Sequence, residues 1–120
     1  MWTYNSSNGA LSHNGLLAGI GYSGNGQGVN NPDMERVHNV GPIPRGIWSI
    51  SSFLNDPGGK GPCVARLSPE GDTDTFGRGG FMIHGDNREV DKSASHGCII
   101  LARSLREQIA SSGDTSLQVV

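Results

Sequence analysis

The chain has 120 residues, enough for one domain (1–120) with its own core and too few for two. A formal net charge of −2 does not point to nucleic acid, and no run approaches the roughly 18 to 20 apolar residues of a membrane span. Only 34% of the residues are hydrophobic and 19 are glycine, about twice the usual share, which favours a strand-and-loop protein over a helical bundle.

Trp2-Thr3-Tyr4 alternates and is β-prone. Asn5 to Gly9 is a turn, and Ala10 to Ser12 returns as a second strand. Asn14-Gly15 is a hairpin signal leading to a third strand, Leu16 to Tyr22, so the chain opens as an antiparallel meander. His13, in the polar turn, reads as solvated. Ser23 to Asn39 is a long loop rich in Gly and Asn, expected as a wall or lid over a cleft. His38 within it reads as a surface residue.

Gly41-Pro42-Ile43-Pro44-Arg45-Gly46 is a rigid corner, because both prolines fix φ. A strand is expected over Ile47 to Leu54, with Trp48 on one face and Ile47 and Ser49 on the other. Asn55 to Pro62 is a turn cluster, Cys63 to Leu67 a short strand and Ser68 to Gly80 a loop. Cys63 has no His or charged neighbour in sequence and reads as a buried, inert thiol. Toward the end, Ser104 and Glu107 fit a capping box, and Leu101, Leu105 and Ile109 recur every four residues. They predict one short helix, stopped by Gly113 and followed by a strand over Leu117 to Val120.

The chemistry concentrates in Phe81 to Leu101, FMIHGDNREVDKSASHGCIIL. Two short apolar runs, Phe81 to Ile83 and Ile99 to Leu101, read as buried strands, with a polar loop between them. His84 then ends one strand and Cys98 starts the next. A Cys and a His at facing strand ends form the minimum apparatus of a thiolate nucleophile and its base. A free thiol titrates near pH 8.5, so an imidazole that takes its proton makes it competent near neutrality. His84 and His96 are both candidates for that base. Gly97 removes side-chain bulk where a carbonyl would approach, and the amides of His96, Gly97 and Cys98 are candidate oxyanion donors. Ser95 fits a turn-fixing hydroxyl, and the Gly85 carbonyl a group that orients the base. Asp86 and Asn87 either brace the loop or bind substrate.

His84-Gly85 followed by Ser95-His96-Gly97-Cys98-Ile99 resembles the active-site signature of the L,D-transpeptidase catalytic domain (YkuD-type). Tyr22-Ser23-Gly24, Gly41 to Gly46, His84 to Asn87 and Ser95 to Leu101 together resemble more closely its compact branch, the type VI secretion L,D-transpeptidase effectors. The resemblance runs from about Trp2 to Leu101. It implies a mainly β, L,D-transpeptidase-like β-sandwich or meander with long Gly-rich loops and one short C-terminal helix. It implies Cys98 as nucleophile and His84, the histidine of the H-G pair, as base, with His96 and Gly97 in support. No cofactor and no metal are expected, and Gly85, Asp86, Asn87, Ser95 and Arg103 are the candidates for substrate contact. The larger family has Arg two places after the Cys, where this chain has Ile100, so Arg103, Arg88, Arg78 and Arg45 are the candidates for a substrate-carboxylate contact. Peptidoglycan stem peptides are the implied substrate, and L,D-carboxypeptidase action, D-amino-acid exchange and cross-linking the implied outcomes. The implied setting is the periplasm of a target cell, with a cognate immunity protein and a secretion-machine component as partners. The N-terminal stretch MWTYNSSNG lacks the basic and apolar regions of a secretory signal, which fits export by a dedicated machine or release by lysis.

Other readings fit less well. Papain-type enzymes place Cys before His, the reverse of this order. A non-catalytic wall-binding module on the same fold needs no thiol. A housekeeping or phage L,D-transpeptidase is a further alternative. A zinc site from His84, His96 and Cys98 lacks paired C-x-x-C or H-x₃-H spacing.

Overall fold

A computed structural model describes residues 1–55, 59–87 and 92–120. Trp2–Tyr4 forms β1, with Trp2 and Tyr4 buried and Thr3 between them, and β2 is Ala10–His13. The hairpin to β3, Leu16–Ile20, turns on Asn14 (φ 49°) and Gly15 (φ 86°), the left-handed pair that Asn-Gly adopts readily. The rest of the expected third strand breaks away at Gly21. Tyr22–Ser23 is a separate strand, β4, and it pairs elsewhere. Later come β5 (Gly46–Ile50), β6 (Ala65–Glu70), β7 (Met82–His84), β8 (Ile99–Ile100), α1 (Arg103–Ser112) and β9 (Ser116–Val119).

The sheet order is β3-β2-β1-β9-β5-β6-β7-β8-β4. Its two outer strands, β3 and β4, are separated in sequence by Gly21 alone, so the chain itself links the two edges and the sheet is nearly closed. This site has no room for a side chain: a Cβ on Gly21 would lie 2.1 Å from the Ile100 carbonyl oxygen and 2.6 Å from Leu101 Cδ2. All pairings are antiparallel except β1 with β9 and β7 with β8. At 15% helix and 32% strand the protein is mainly β, as expected.

Trp2, Tyr4, Leu11, Ile43, Trp48, Ile83, Ile99, Leu101 and Leu117 form the main core, and α1 adds Leu105 and Ile109 to it. Trp48 is fully buried while Ile47 is 38% exposed, as the alternation in β5 predicts.

Several expectations need correction. The strand expected from Ile47 to Leu54 starts at Gly46 and stops at Ile50; beyond it Leu54 makes one bridge to Val64. The strand expected from Cys63 begins at Ala65, because Cys63 has a left-handed φ of 57°, and it runs on through Pro69 to Glu70. Cys63 is half-buried, not buried. The Ser104–Glu107 capping box does not form: the N-cap is Ala102, two residues earlier, with no side-chain cap, and Glu107 pairs with Arg103 at 2.9 Å. Gly113 does end the helix, with φ 69°. His13 is not a freely solvated turn residue, since it stacks on Trp2 and pairs with Asp114 at 3.0 Å.

Candidate active site

The parallel β7–β8 pairing sets the site. Ile83 stands opposite Ile99, and both enter the main core. Alternation turns the neighbouring residues, Met82, His84, Cys98 and Ile100, to the other face. There Cys98 is buried with Tyr22 and Ile100, against Val29, Met82 and Ala94. The two strands expected to place His84 and Cys98 at facing ends therefore run side by side in one direction, and the 85–98 segment supplies the long crossover that a parallel pair requires.

His84 is 4% exposed. Its Nδ1 lies 2.8 Å from the Gly85 carbonyl oxygen. A carbonyl only accepts, so Nδ1 carries the proton and donates. Nε2 is left as the lone-pair nitrogen, buried and with no hydrogen-bond partner among the described residues. A buried polar atom without a partner is costly, and this one belongs to a residue on the sheet face that also carries Cys98. Burial pushes the His84 imidazole down, helped by the charges of Lys60 and Arg106, while the Gly85 bond and Asp86 oppose. Burial pushes the Cys98 thiol up, against a hydrogen bond from the Met82 backbone and the charges of Lys60 and Arg78. Both shifts favour the uncharged forms of the thiol and the imidazole.

The Cys98 loop is held from two sides. Ser95, fully buried, donates from its hydroxyl to the Cys98 carbonyl (2.6 Å) and accepts from the amides of Gly97 (3.1 Å) and Gly24 (2.9 Å). Ser23 donates to the Gly97 carbonyl at 3.1 Å, and Asn25 Nδ2 to the Ser95 carbonyl at 2.8 Å. On the other side Arg78 donates to four carbonyls, those of Glu35, Gly41, Pro42 and His96, at 2.6 to 3.1 Å. Gly97 (φ 133°) lies so close to this guanidinium that a Cβ would sit 2.6 Å from Nη2 and 2.9 Å from Phe81 Cε1. The Gly97 amide, expected as an oxyanion donor, is committed to Ser95.

Two recesses open on the pair. One, about 280 Å³, is lined by Gly59, Lys60, His84, Gly85, Asp86, Asn87 and Ala94. The other, about 160 Å³, holds Cys98 with Asn39, Lys60, Gly79, Gly80, Phe81, Met82, Ala94 and His96. Lys60 and Ala94 border both. Asp86 accepts from the Tyr22 hydroxyl at 2.7 Å and from the Asn87 amide at 2.9 Å, bracing the loop while it lines the His84 recess. His96 is exposed at the Cys98 recess, and His38 lies with it around a smaller hollow. Asn39 brings the end of the Ser23–Asn39 loop to the Cys98 recess as a wall. Arg103 lines a neighbouring hollow of about 360 Å³ with Tyr22, Asp86 and Arg106, outside both recesses. A hollow of about 370 Å³ between β5 and the end of α1 is remote from this chemistry.

Over this geometry, the family model of the Tlde1 domain matches residues 18–119. The chain belongs to the Tlde1 domain family. This is a family of type VI secretion effectors, associated with peptidoglycan modification. No curated protein matches the chain. The matched segment of this Tlde1 domain contains His84, His96, Cys98 and the loops that hold them.

Four residues around the site were not assigned roles by sequence reasoning. Tyr22 and Ser23 lay in a recognised YSG segment, and their contacts to Asp86 and Gly97 run between distant loops. Arg106, read only as part of a helix, is 7% exposed and donates to the Leu101, Pro62 and Cys63 carbonyls. Lys60 sat in a turn cluster with no motif around it.

Proposed function

We propose that the protein is a cysteine acyl-transfer enzyme of the L,D-transpeptidase (YkuD) type, acting on the tetrapeptide stems of peptidoglycan. The observation that carries this reading is the buried Nε2 of His84, without a partner among the described residues, on the same sheet face as the Cys98 thiol. The Gly85 bond orients the ring so that the basic nitrogen faces outward from its tether.

In the proposed reaction His84 Nε2 takes the Cys98 proton as the sulfur attacks the carbonyl between the L-centre of the stem diamino acid and the terminal D-alanine. The amides of His96 and Cys98 are the proposed donors to the oxyanion. The C–N bond breaks, the amine takes the proton back from Nε2, and D-alanine leaves a thioester on Cys98. Water then completes carboxypeptidase action. A free D-amino acid completes exchange, and a stem amine completes a cross-link. Each regenerates the thiol. Membership of an effector family supports action in the periplasm of a target cell, where loss of donor stems would weaken the wall. In that setting the producer needs an immunity protein, and a component of the secretion machine must carry the chain.

The test is mass spectrometry of disaccharide-tetrapeptide muropeptides incubated with the protein, with and without a free D-amino acid. Loss of one alanine mass that disappears in Cys98→Ala supports the reading, and replacement by the added amino acid supports exchange. Intact muropeptides with folded wild-type protein would refute it.

A further inference from the structure

The recesses at Cys98 and His84 share one cation, Lys60. It is exposed and makes no hydrogen bond or ion pair among the described residues. Its charge acts on both reacting groups, favouring the Cys98 thiolate and disfavouring the His84 imidazolium. The other cations proposed from sequence are committed elsewhere. Arg78 donates to four carbonyls, Arg45 pairs with Glu35 at 2.6 Å, and Arg103 pairs with Glu107 at 2.9 Å. Arg88 lies outside the described residues. Arg106 also donates to carbonyls, and no described arginine lines either recess.

Resting on the acyl-transfer reading above, the direction of the reaction assigns the recesses. The acyl carbon bonds to Cys98, so the acyl side of the substrate lies there. The departing amine takes its proton from His84, so the leaving residue lies in the His84 recess. If that residue is the last of its chain, one carbon separates its α-carboxylate from the departing nitrogen. We infer that Lys60 holds this terminal α-carboxylate, so that the site releases a terminal amino acid and does not cut within a continuing chain. An ammonium suits the task, as a point charge with three donors that accepts a carboxylate from several directions. Ile100, at the position where the larger family has Arg, is buried in the face and cannot serve.

The experiment compares a muropeptide tetrapeptide with the same compound carrying a C-terminal carboxamide, in wild type, Lys60→Met and Lys60→Arg. Wild type should prefer the free acid by about 10- to 100-fold in kcat/KM, mostly through KM, as expected for one charged hydrogen bond. Lys60→Met should reduce the preference to within about 3-fold, and Lys60→Arg should keep part of it. Full preference in Lys60→Met, or a preference lost in Arg88→Met and kept in Lys60→Met, would overturn the assignment. Wild type that turns over both compounds equally overturns this inference alone. Wild type that leaves both intact overturns the acyl-transfer reading and this inference with it.

Discussion

At the scale of single residues, the site is a thiol and an imidazole, each shifted by burial away from its charged form. His84→Ala should lower kcat by about 10² to 10⁴, the usual worth of a positioned general base, measured as alanine released per enzyme. The pH dependence follows from the sign of the shift. A depressed imidazole stays in its basic form to lower pH than a free one. The acid limb of kcat/KM should therefore fall below about pH 6.5, the value of an unperturbed histidine, and a limb centred above that would contradict the burial argument. The thiol is shifted the other way, so alkylation of Cys98 in the free enzyme should keep rising with pH beyond about 8.5. The pattern S-H-G-C with H-G made Cys98, His84 and Gly85 legible as candidates, because residue type and local position single them out. Lys60 was not legible. Its place depends on where an irregular loop comes to rest, and no local spacing encodes that.

At the scale of elements, a parallel strand pair presents His84 and Cys98 on one face, and two loops fix the turn into β8. The expected Gly97 role in oxyanion binding gives way to one of close packing, since its amide serves Ser95 and its Cα faces Arg78. Gly97→Ala should cost about 1 to 3 kcal/mol of stability, from left-handed strain and the clash with Arg78, read by denaturant unfolding. Ser95→Ala leaves two buried amides without their acceptor and should cost about 1 to 3 kcal/mol, with slower turnover as the Cys98 loop loosens. Unchanged stability in both variants would mean that the loop is held by other contacts. The strands were legible where apolar residues alternate, as in β1 and β5. They were misjudged where a backbone angle intervenes, as at Cys63, and where tertiary pairing decides, as in the helix start that bypasses Ser104. That β7 and β8 run parallel was not legible either, because the relative direction of two strands is not encoded by the residues within them.

At the scale of the whole molecule, the sheet is nearly closed because one glycine links its two edges. Gly21→Ala should unfold the protein or lower its melting temperature severely, since the new methyl would meet the Ile100 carbonyl at 2.1 Å. Gly79→Ala, with nothing within 4 Å of its Cβ, should stay within about 0.5 kcal/mol of wild type. Equal melting curves would show that the closure is not rigid. The mainly β class followed from composition, whereas the closure did not, because Leu16 to Tyr22 reads as one continuous strand until the partners of each half are known. The β4–β8 pairing brings the YSG strand against the strand that follows Cys98, and Tyr22 bonds Asp86 beside the His84 recess. The central claim is that Cys98 carries the acyl group, and the intact mass of the protein after brief exposure to tetrapeptide and acid quench tests it most directly. The account predicts an adduct equal to the substrate less one alanine, mapped to the peptide containing Cys98 and absent from Cys98→Ala. Release of alanine with no adduct, continuing at the wild-type rate in Cys98→Ala, would contradict it.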